Sequence, residues 1–417
     1  MKANIRFKAV LGLYVVGAAF TGLCTPAYAW TDGNPSGASQ CAAVDINDAG
    51  TVIANCEVNN TAVTYVTVAG TETQLSALPS TPGGVPCASQ AINNAVAGTE
   101  TIIGACQDGN EVWQAVSWVA GSPASPRQLM PYPGTLGILD PGVRTSAADV
   151  NAQGITVGVS VDGNDIALPV YWSGSGTATP FNTALLAPLA NCAPASINDA
   201  ATPSVVGNCP AGSSGKSVAV LWPTLSSSYA SLPVPSGASY CAASQINLSG
   251  QILGECIYGT DTRRAVQWGP GGTGPAVLMT VNGGTILHTT RIAQNDSGVV
   301  AVSFLAGGSL AGFSEPAVWN PAGGNTNASG LTLPSGAIHG GIGAIGNNGK
   351  MVGNFETWAG DTHPMHVESG SSTVVDDGSP EGGPNAVVTA LSKSGTKEAG
   401  VGESGAENAQ AIYQSVP

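Results

Sequence analysis

The strongest constraint on this chain is a phrase that it repeats. Cys41 to Cys56 reads CAAVDINDAGTVIANC, and CAASQINLSGQILGEC returns at 241 to 256. Aligned on Asn47, the chain offers Asn93, Asn151, Asn198, Asn247, Asn295 and Asn347, with Ser392 in an eighth place where Asn is lost. The mean spacing is about 49 residues, within the range at which four-stranded propeller blades recur. Each copy parses alike. In the first, a strand over Ala42 to Ile46 runs into a turn at Asn47-Asp48-Ala49-Gly50, followed by strands over Thr51 to Cys56 and Ala62 to Val68 and a fourth through Leu75. The Asn side chain suits an Asx-turn and the Gly a positive φ, so both recur for turn chemistry.

A single sheet cannot bury both of its faces, so copies must stack, and closing the stack into a ring hides its edges. The expectation is an all-β propeller of about eight blades, with seven as the alternative count if one copy is unravelled between Asn93 and Asn151. The chain ends at Pro417, after the third strand of the last copy. The closing blade is therefore expected to be three-stranded or completed by the short piece over Trp30 to Gln40.

Residues 1–29 read as a secretory signal peptide: Lys2, Arg6 and Lys8, an apolar run from Ala9 to Leu23, and a small-x-small end at Ala27-Tyr28-Ala29. Residues 30–417 then form one propeller domain in a secreted or periplasmic protein, with no later apolar stretch long enough for a membrane span. Without the leader, 9 Lys and Arg face 26 Asp and Glu, which argues against nucleic acid and anionic membrane as partners.

Eight cysteines remain once Cys24 leaves with the leader, an even number suited to an oxidising compartment. They fall only in copies one, two, four and five, always at both equivalent sites. That joint presence pairs Cys41 with Cys56, Cys87 with Cys106, Cys192 with Cys209 and Cys241 with Cys256. Facing strands bring α-carbons within disulfide range, but direct pairing of Cys41 with Cys56 requires an even, four-residue loop from Asn47 to Gly50.

The pattern A-x-x-I-N-x-x-G-x-(I/V)-G, followed by Ala-hydrophobic-x-aromatic on the third strand, resembles the HAF-repeat family of bacterial extracellular proteins. Here Gln-Ala-Val, Arg-Ala-Val, Val-Ala-Val or Gln-Ala-Ile stands where the family has His-Ala-Phe, and the nearest piece to its Gly-Thr-Leu-Gly-Gly is Gly134 to Ile138. The resemblance implies an exported, propeller-like repeat protein and carries no defined activity.

No motif rises to a catalytic assignment. Asp361-Thr362-His363-Pro364-Met365-His366 offers two imidazoles, but residues three apart on a strand face opposite sides, and a zinc site needs three converging ligands; His288 and His339 would have to converge with them across blades. No metal or cofactor is expected. Pro210 to Ser217 mimics a phosphate loop without its first Gly or its helix, and Asp296-Ser297-Gly298 sits in the repeat's turn slot rather than on a nucleophile elbow. Asp108 to Glu111 and Asp162 to Asp165 read as tight turns in preference to calcium loops, and Asp376, Asp377 and Glu381 as a solvated acidic loop. Trp118, Trp172, Trp222, Trp268 and Trp319 recur in register and are expected in the core. Trp113 and Trp358 break register, which makes them, with His363 and His366, the binding candidates. The expected role is a binding or structural module for an extracellular glycan, surface polymer or protein. A hydrolase or lyase using acids gathered at the channel is the competing class.

Overall fold

A computed structural model describes residues 30–416, apart from residue 36 and residues 80–85, 135–141, 175, 182–190, 212–215, 274–275, 282–287, 306–313, 380–382 and 404–408. The leader, most of Gly134 to Ile138, the middle of the Pro210 to Ser217 segment, Glu381 and Pro417 therefore lie outside the described residues. The chain forms eight antiparallel sheets in sequence order, a β-propeller of eight blades. Blade 1 is built from Gln40–Ile46, Val52–Val58, Thr61–Val68 and Thr71–Gln74. The inner strands of the other seven are Cys87–Ile92, Gly142–Val150, Ala193–Ile197, Ala238–Ile246, His288–Gln294, Ala337–Ile345 and Ala386–Leu391. Residues from all eight inner strands and the turns that follow them line one central cavity.

The ring closes through the piece before the first repeat. Thr31–Asp32 pairs with the third strand of blade 8, Ala409–Ser415, and supplies the strand that the eighth copy lacks. Blade 6 carries one extra strand, because Thr280–Val281 adds parallel to its outer strand Asn327–Gly330.

All four disulfides form within blades as the spacing implied, between directly opposed residues with α-carbons 4.0 to 4.1 Å apart. The loop that joins the paired strands differs from the expected one. Ile46 opposes Val52, so five residues form the connection, and a bulge at Val44 restores the parity that lets Cys41 face Cys56. The bulge explains the repeat's second glycine. It carries an inner-strand carbonyl across the second strand, where a Cβ on Gly104, Gly158, Gly207, Gly254, Gly353 or Gly400 would overlap it. Two blades lack this glycine: blade 6, whose bulge falls earlier, between Thr289 and Arg291, has Val302, and blade 1, which keeps the regular bulge, has the smallest side chain, Ala54, in that place.

The tryptophans on the third strands are buried to within 2% exposure, and four of the five indole N–H groups donate to a backbone carbonyl, as Trp118 does to Ser76 at 2.8 Å. They are core, each filling the space between neighbouring sheets.

Candidate functional site

The two ends of the ring are built from different connections. At one end lie the turns between inner and second strands. There the Asn amides form a chain of bonds from blade to blade: Asn47 Nδ2 donates to the Asn93 carbonyl, Asn93 to Asn151, Asn151 to Asn198, Asn198 to Asn247, Asn247 to Asn295, and Asn295 to Gly346, at 2.9 to 3.2 Å. The Oδ1 of the same Asn accepts from the N–H that closes its own turn, as Asn247 does from Gln251 at 2.9 Å. The Asn is therefore a link between blades as well as a turn former. Blade 7 corrects the alignment. Gly346, not Asn347, takes the Asn place, and Asn347 belongs to the next position, where its Oδ1 accepts from the Asp296 N–H.

That next position forms a second ring at the channel mouth. Asn94 Oδ1 accepts from the Asp48 N–H, Asp199 from Ala152, and Asp296 from Leu248. In blade 8 the position holds Lys393, whose Nζ reaches Asp199 of blade 4 at 2.5 Å and Asp296 of blade 6 at 3.2 Å. Blades 4 and 8 stand opposite in an eight-membered ring, so Lys393 straps the channel mouth. Burial opposes the charge on Asp296, but the Leu248 N–H, the Asn347 amide and Lys393 together hold its carboxyl below the ordinary range.

Behind the strap is a cavity of about 460 Å³. Its wall carries Asp45 and Asp149, two residues before the Asn in blades 1 and 3. Burial pushes Asp45 up to about 7 and Asp149 to about 6, against the hydrogen bonds they receive. Every oxygen of the two carboxylates takes a backbone N–H: Asp45 from Ile46 and Ile92, Asp149 from Val150 and Ile197, at 2.8 to 3.0 Å. The acids expected at the channel are present, and their bonds join blade 1 to 2 and blade 3 to 4.

His363 and His366 face apart as their spacing requires. His363 rests against Phe355 and meets Asp376 at 3.1 Å. His366 is buried, with Nδ1 2.5 Å from Asp377 Oδ1. Asp377 is thus no solvated loop residue: it is 2% exposed, and it closes a seam between blades 7 and 8 that also buries Glu398. Burial pushes Glu398 up to about 7, helped by Asp377, while Gln414 Nε2 donates to its Oε1. Burial lowers and the surrounding Asp377, Glu368 and Glu398 raise the affinity of His366 for its proton, and the charges win. Among the described residues no group of three or more His, Cys, Asp and Glu is arranged to hold a metal ion. His288 begins the inner strand of blade 6, and His339 pairs instead with Glu356 at 2.9 Å. Asp108 and Asp162 each accept two backbone N–H groups of their own turns, so both acidic hairpins hold Asx geometry.

At the other end of the ring lie the hairpins between second and third strands and the connections between blades. Here the copies differ. Where blades 1, 2, 4 and 5 have their cystines, blade 7 has Gly340 opposite Phe355 and blade 6 has Thr289 opposite Phe304. Between these two blades opens a cleft of about 370 Å³, lined by Arg291, Ser314, His339, Gly340, Phe355 and Glu356 among others. The hairpin above Glu356 carries Trp358, 83% exposed, whereas Trp113 is half-buried at the start of its strand in blade 2. Position along the chain did not point to this cleft; the missing cysteines of adjacent copies six and seven are a signal that copy eight shares.

No model of a known protein family matches the chain, and no curated protein sequence does either. Solved structures do match, at low identity. The Dos1 propeller superposes with a TM-score of 0.55 at 9% identity, covering 93% of this chain and 95% of that one. A prolyl endopeptidase gives 0.54 at 9% identity, over 81% of this chain and 49% of that one. A puromycin-hydrolyzing peptidase of Mycobacterium tuberculosis gives 0.49 at 12% identity, over 85% and 56%. The chain thus spans about half the length of these two peptidases, and the likeness at such identities is one of fold. The four disulfides point to an oxidising, extracytoplasmic setting. No described helix is long and apolar enough to cross a membrane.

Proposed function

We propose that the protein is a secreted, non-catalytic module that binds an extracellular glycan at the cleft between blades 6 and 7. The observation that carries this reading is the cleft itself, open between blades 6 and 7 within the run of three copies, six to eight, that lack the inter-strand staple. A polar cleft with an exposed indole on its hairpin matches what a sugar needs: hydroxyl partners below and an apolar face to stack on. Trp358 stands in the turn just past the end of the strand Met351–Thr357 that carries Glu356, so a chain of sugars seated in the cleft has the indole next to it at the hairpin. The HAF-repeat resemblance is consistent with export and is part of this proposal.

The competing reading is hydrolysis or lysis of a polymer inside the channel, favoured by two carboxyls poised near neutrality at Asp45 and Asp149. Their full engagement with backbone N–H groups counts against it, as does the Lys393 strap across the mouth. The test is a panel of soluble polysaccharides, run for retardation in affinity gels and for release of reducing ends. Retardation that is lost in Trp358→Ala, with no products released, is expected. Product release abolished by Asp45→Asn or Asp149→Asn supports the channel reading instead.

A further inference from the structure

The cleft contains a feature that binding of a neutral sugar does not require. Arg291, on the inner strand of blade 6, is one of only 12 Lys and Arg in a chain with 26 Asp and Glu, and acidic partners are close at hand in such a molecule. Other bases have found them, as the exposed Arg144 has Asp165 and the half-buried Lys350 has Glu368. The guanidinium of Arg291 makes no hydrogen bond or ion pair with any described residue. Glu356, which lines the same cleft, is engaged by His339.

The position of Arg291 is set by the backbone. Its strand bulges immediately before it, between Thr289 and Arg291, two residues earlier than the bulges of the other blades. The guanidinium then crosses to blade 7, where a Cβ on Gly343 would sit 3.2 Å from Arg291 Nη1. Gly340 and Gly341 keep the adjoining wall free of side chains, and a Cβ on Gly341 would press on Ser303 Oγ at 2.9 Å. Thr290 and Ser314 place two hydroxyls 3.5 Å apart at the opposite wall. The cleft thus combines a planar, permanently charged donor fork, hydroxyl groups and bare backbone.

From this geometry we infer that the cleft selects an acidic sugar, with Arg291 pairing with the carboxylate of a uronic acid. The inference rests on the glycan-binding reading and narrows it to a ligand class. A guanidinium fork matches a carboxylate with two parallel N–H···O bonds, which an ammonium cannot do. The protein's negative charge repels long polyanions, so a short or terminal acidic sugar is the ligand that the molecule admits. The engaged Glu356 carboxylate limits affinity through its remaining charge, and its removal should strengthen the pairing.

The experiment is calorimetric titration of the full disulfide-bonded protein with digalacturonate and with its methyl ester, which keeps every atom of the sugar but masks the carboxylates. The acid should bind about tenfold or more tighter than the ester, as expected for a charged hydrogen bond. Arg291→Gln should erase the difference by weakening the acid far more than the ester, Arg291→Lys should restore part of it, and Glu356→Gln should raise the acid's affinity more than the ester's. Equal affinity for acid and ester overturns the role of Arg291 and leaves glycan binding standing. Binding of neither probe, when neutral oligosaccharides do bind, overturns acidic selectivity in the same way. Failure of every sugar to bind overturns the glycan reading itself. Arg291→Gln that weakens both probes equally shows a general contact rather than carboxylate recognition, and also overturns the inference.

Discussion

The two ends of the ring are made from the same eight blades, yet at one end side-chain bonds run from blade to blade and at the other a cleft opens. At the turn end, Asn amides and the Asp and Asn side chains beside them bond each blade to the next, and Lys393 reaches across to blades 4 and 6. At the opposite end, the cystines occupy blades 1, 2, 4 and 5, and the cleft opens beside Gly340 and Phe355 where no cystine stands. The difference teaches that repetition marks scaffold. A residue conserved from copy to copy serves the ring, and a departure from the pattern is where the ring can be used for something else.

The sharpest way to break this comparison is to move a residue between copies. Gly254→Val should cost about 4 kcal/mol or more in urea unfolding, because the side chain meets both the Ala242 carbonyl and Trp268. Blade 6 already has valine at the equivalent Val302, under its displaced bulge, and Val302→Gly should cost only about 2 kcal/mol. Equal penalties would refute the link between bulge and glycine. Replacing Cys241 and Cys256 together by serine should remove about 3 kcal/mol, the loop-closure contribution for a separation of 15 residues. Asn247→Ala deprives the Asn295 carbonyl and the Gln251 N–H of their partner and should cost about 2 kcal/mol. A loss near zero would mean that the amide chain is incidental to stability.

The pH dependence follows from the groups whose proton affinity folding raises. Asp45, Asp149 and Glu398 titrate at about 7, 6 and 7 in the folded chain, above their values of 3.8, 3.8 and 4.5 when unfolded. The folded state holds more protons than the unfolded one between these limits, so stability should fall as pH rises from about 4 to about 7 and then level out. His366, also raised, contributes stability below its unfolded value that is lost as pH rises through its folded value. Asp296 and Asp376 act in the opposite sense, losing their contribution as pH falls below the usual carboxylate range. The double change Asp45→Asn with Asp149→Asn should flatten the decline between pH 4 and 7, measured by thermal melting across buffers. The smallest effect on stability belongs to Trp358→Ala, within about 0.5 kcal/mol for so exposed a side chain, despite its loss of binding.

Much of the ring was legible in the sequence, because repetition supplies an internal alignment. Eight blades, four within-blade cystines and the buried tryptophans follow from comparing copies, whereas the sequence leaves blade 8 either three-stranded or completed by the N-terminal piece, and the pairing of Thr31–Asp32 decides for the second. The errors came where one copy drops the marker. In GNNGK at 346 to 350, two asparagines compete for one place and the glycine holds it, which only the bond from Asn295 discloses. The five-residue loop was hidden because a bulge at Val44 and an odd loop cancel, leaving the same parity as a regular hairpin with an even loop. Asp377 reads as loop by its neighbours Asp376 and Gly378, and its burial depends on a strand of another blade that carries Glu398. The Lys393 strap joins residues 194 apart across the channel, beyond the reach of any local pattern.

The central claim is that ligand binds at the cleft between blades 6 and 7 and not in the channel. Amide hydrogen exchange of the oxidised protein, with and without a bound acidic oligosaccharide, tests it most directly. New protection confined to 288–305 and 337–362 is the predicted result. Protection centred instead on the strands around Asp45 and Asp149, with the cleft unchanged, would contradict it.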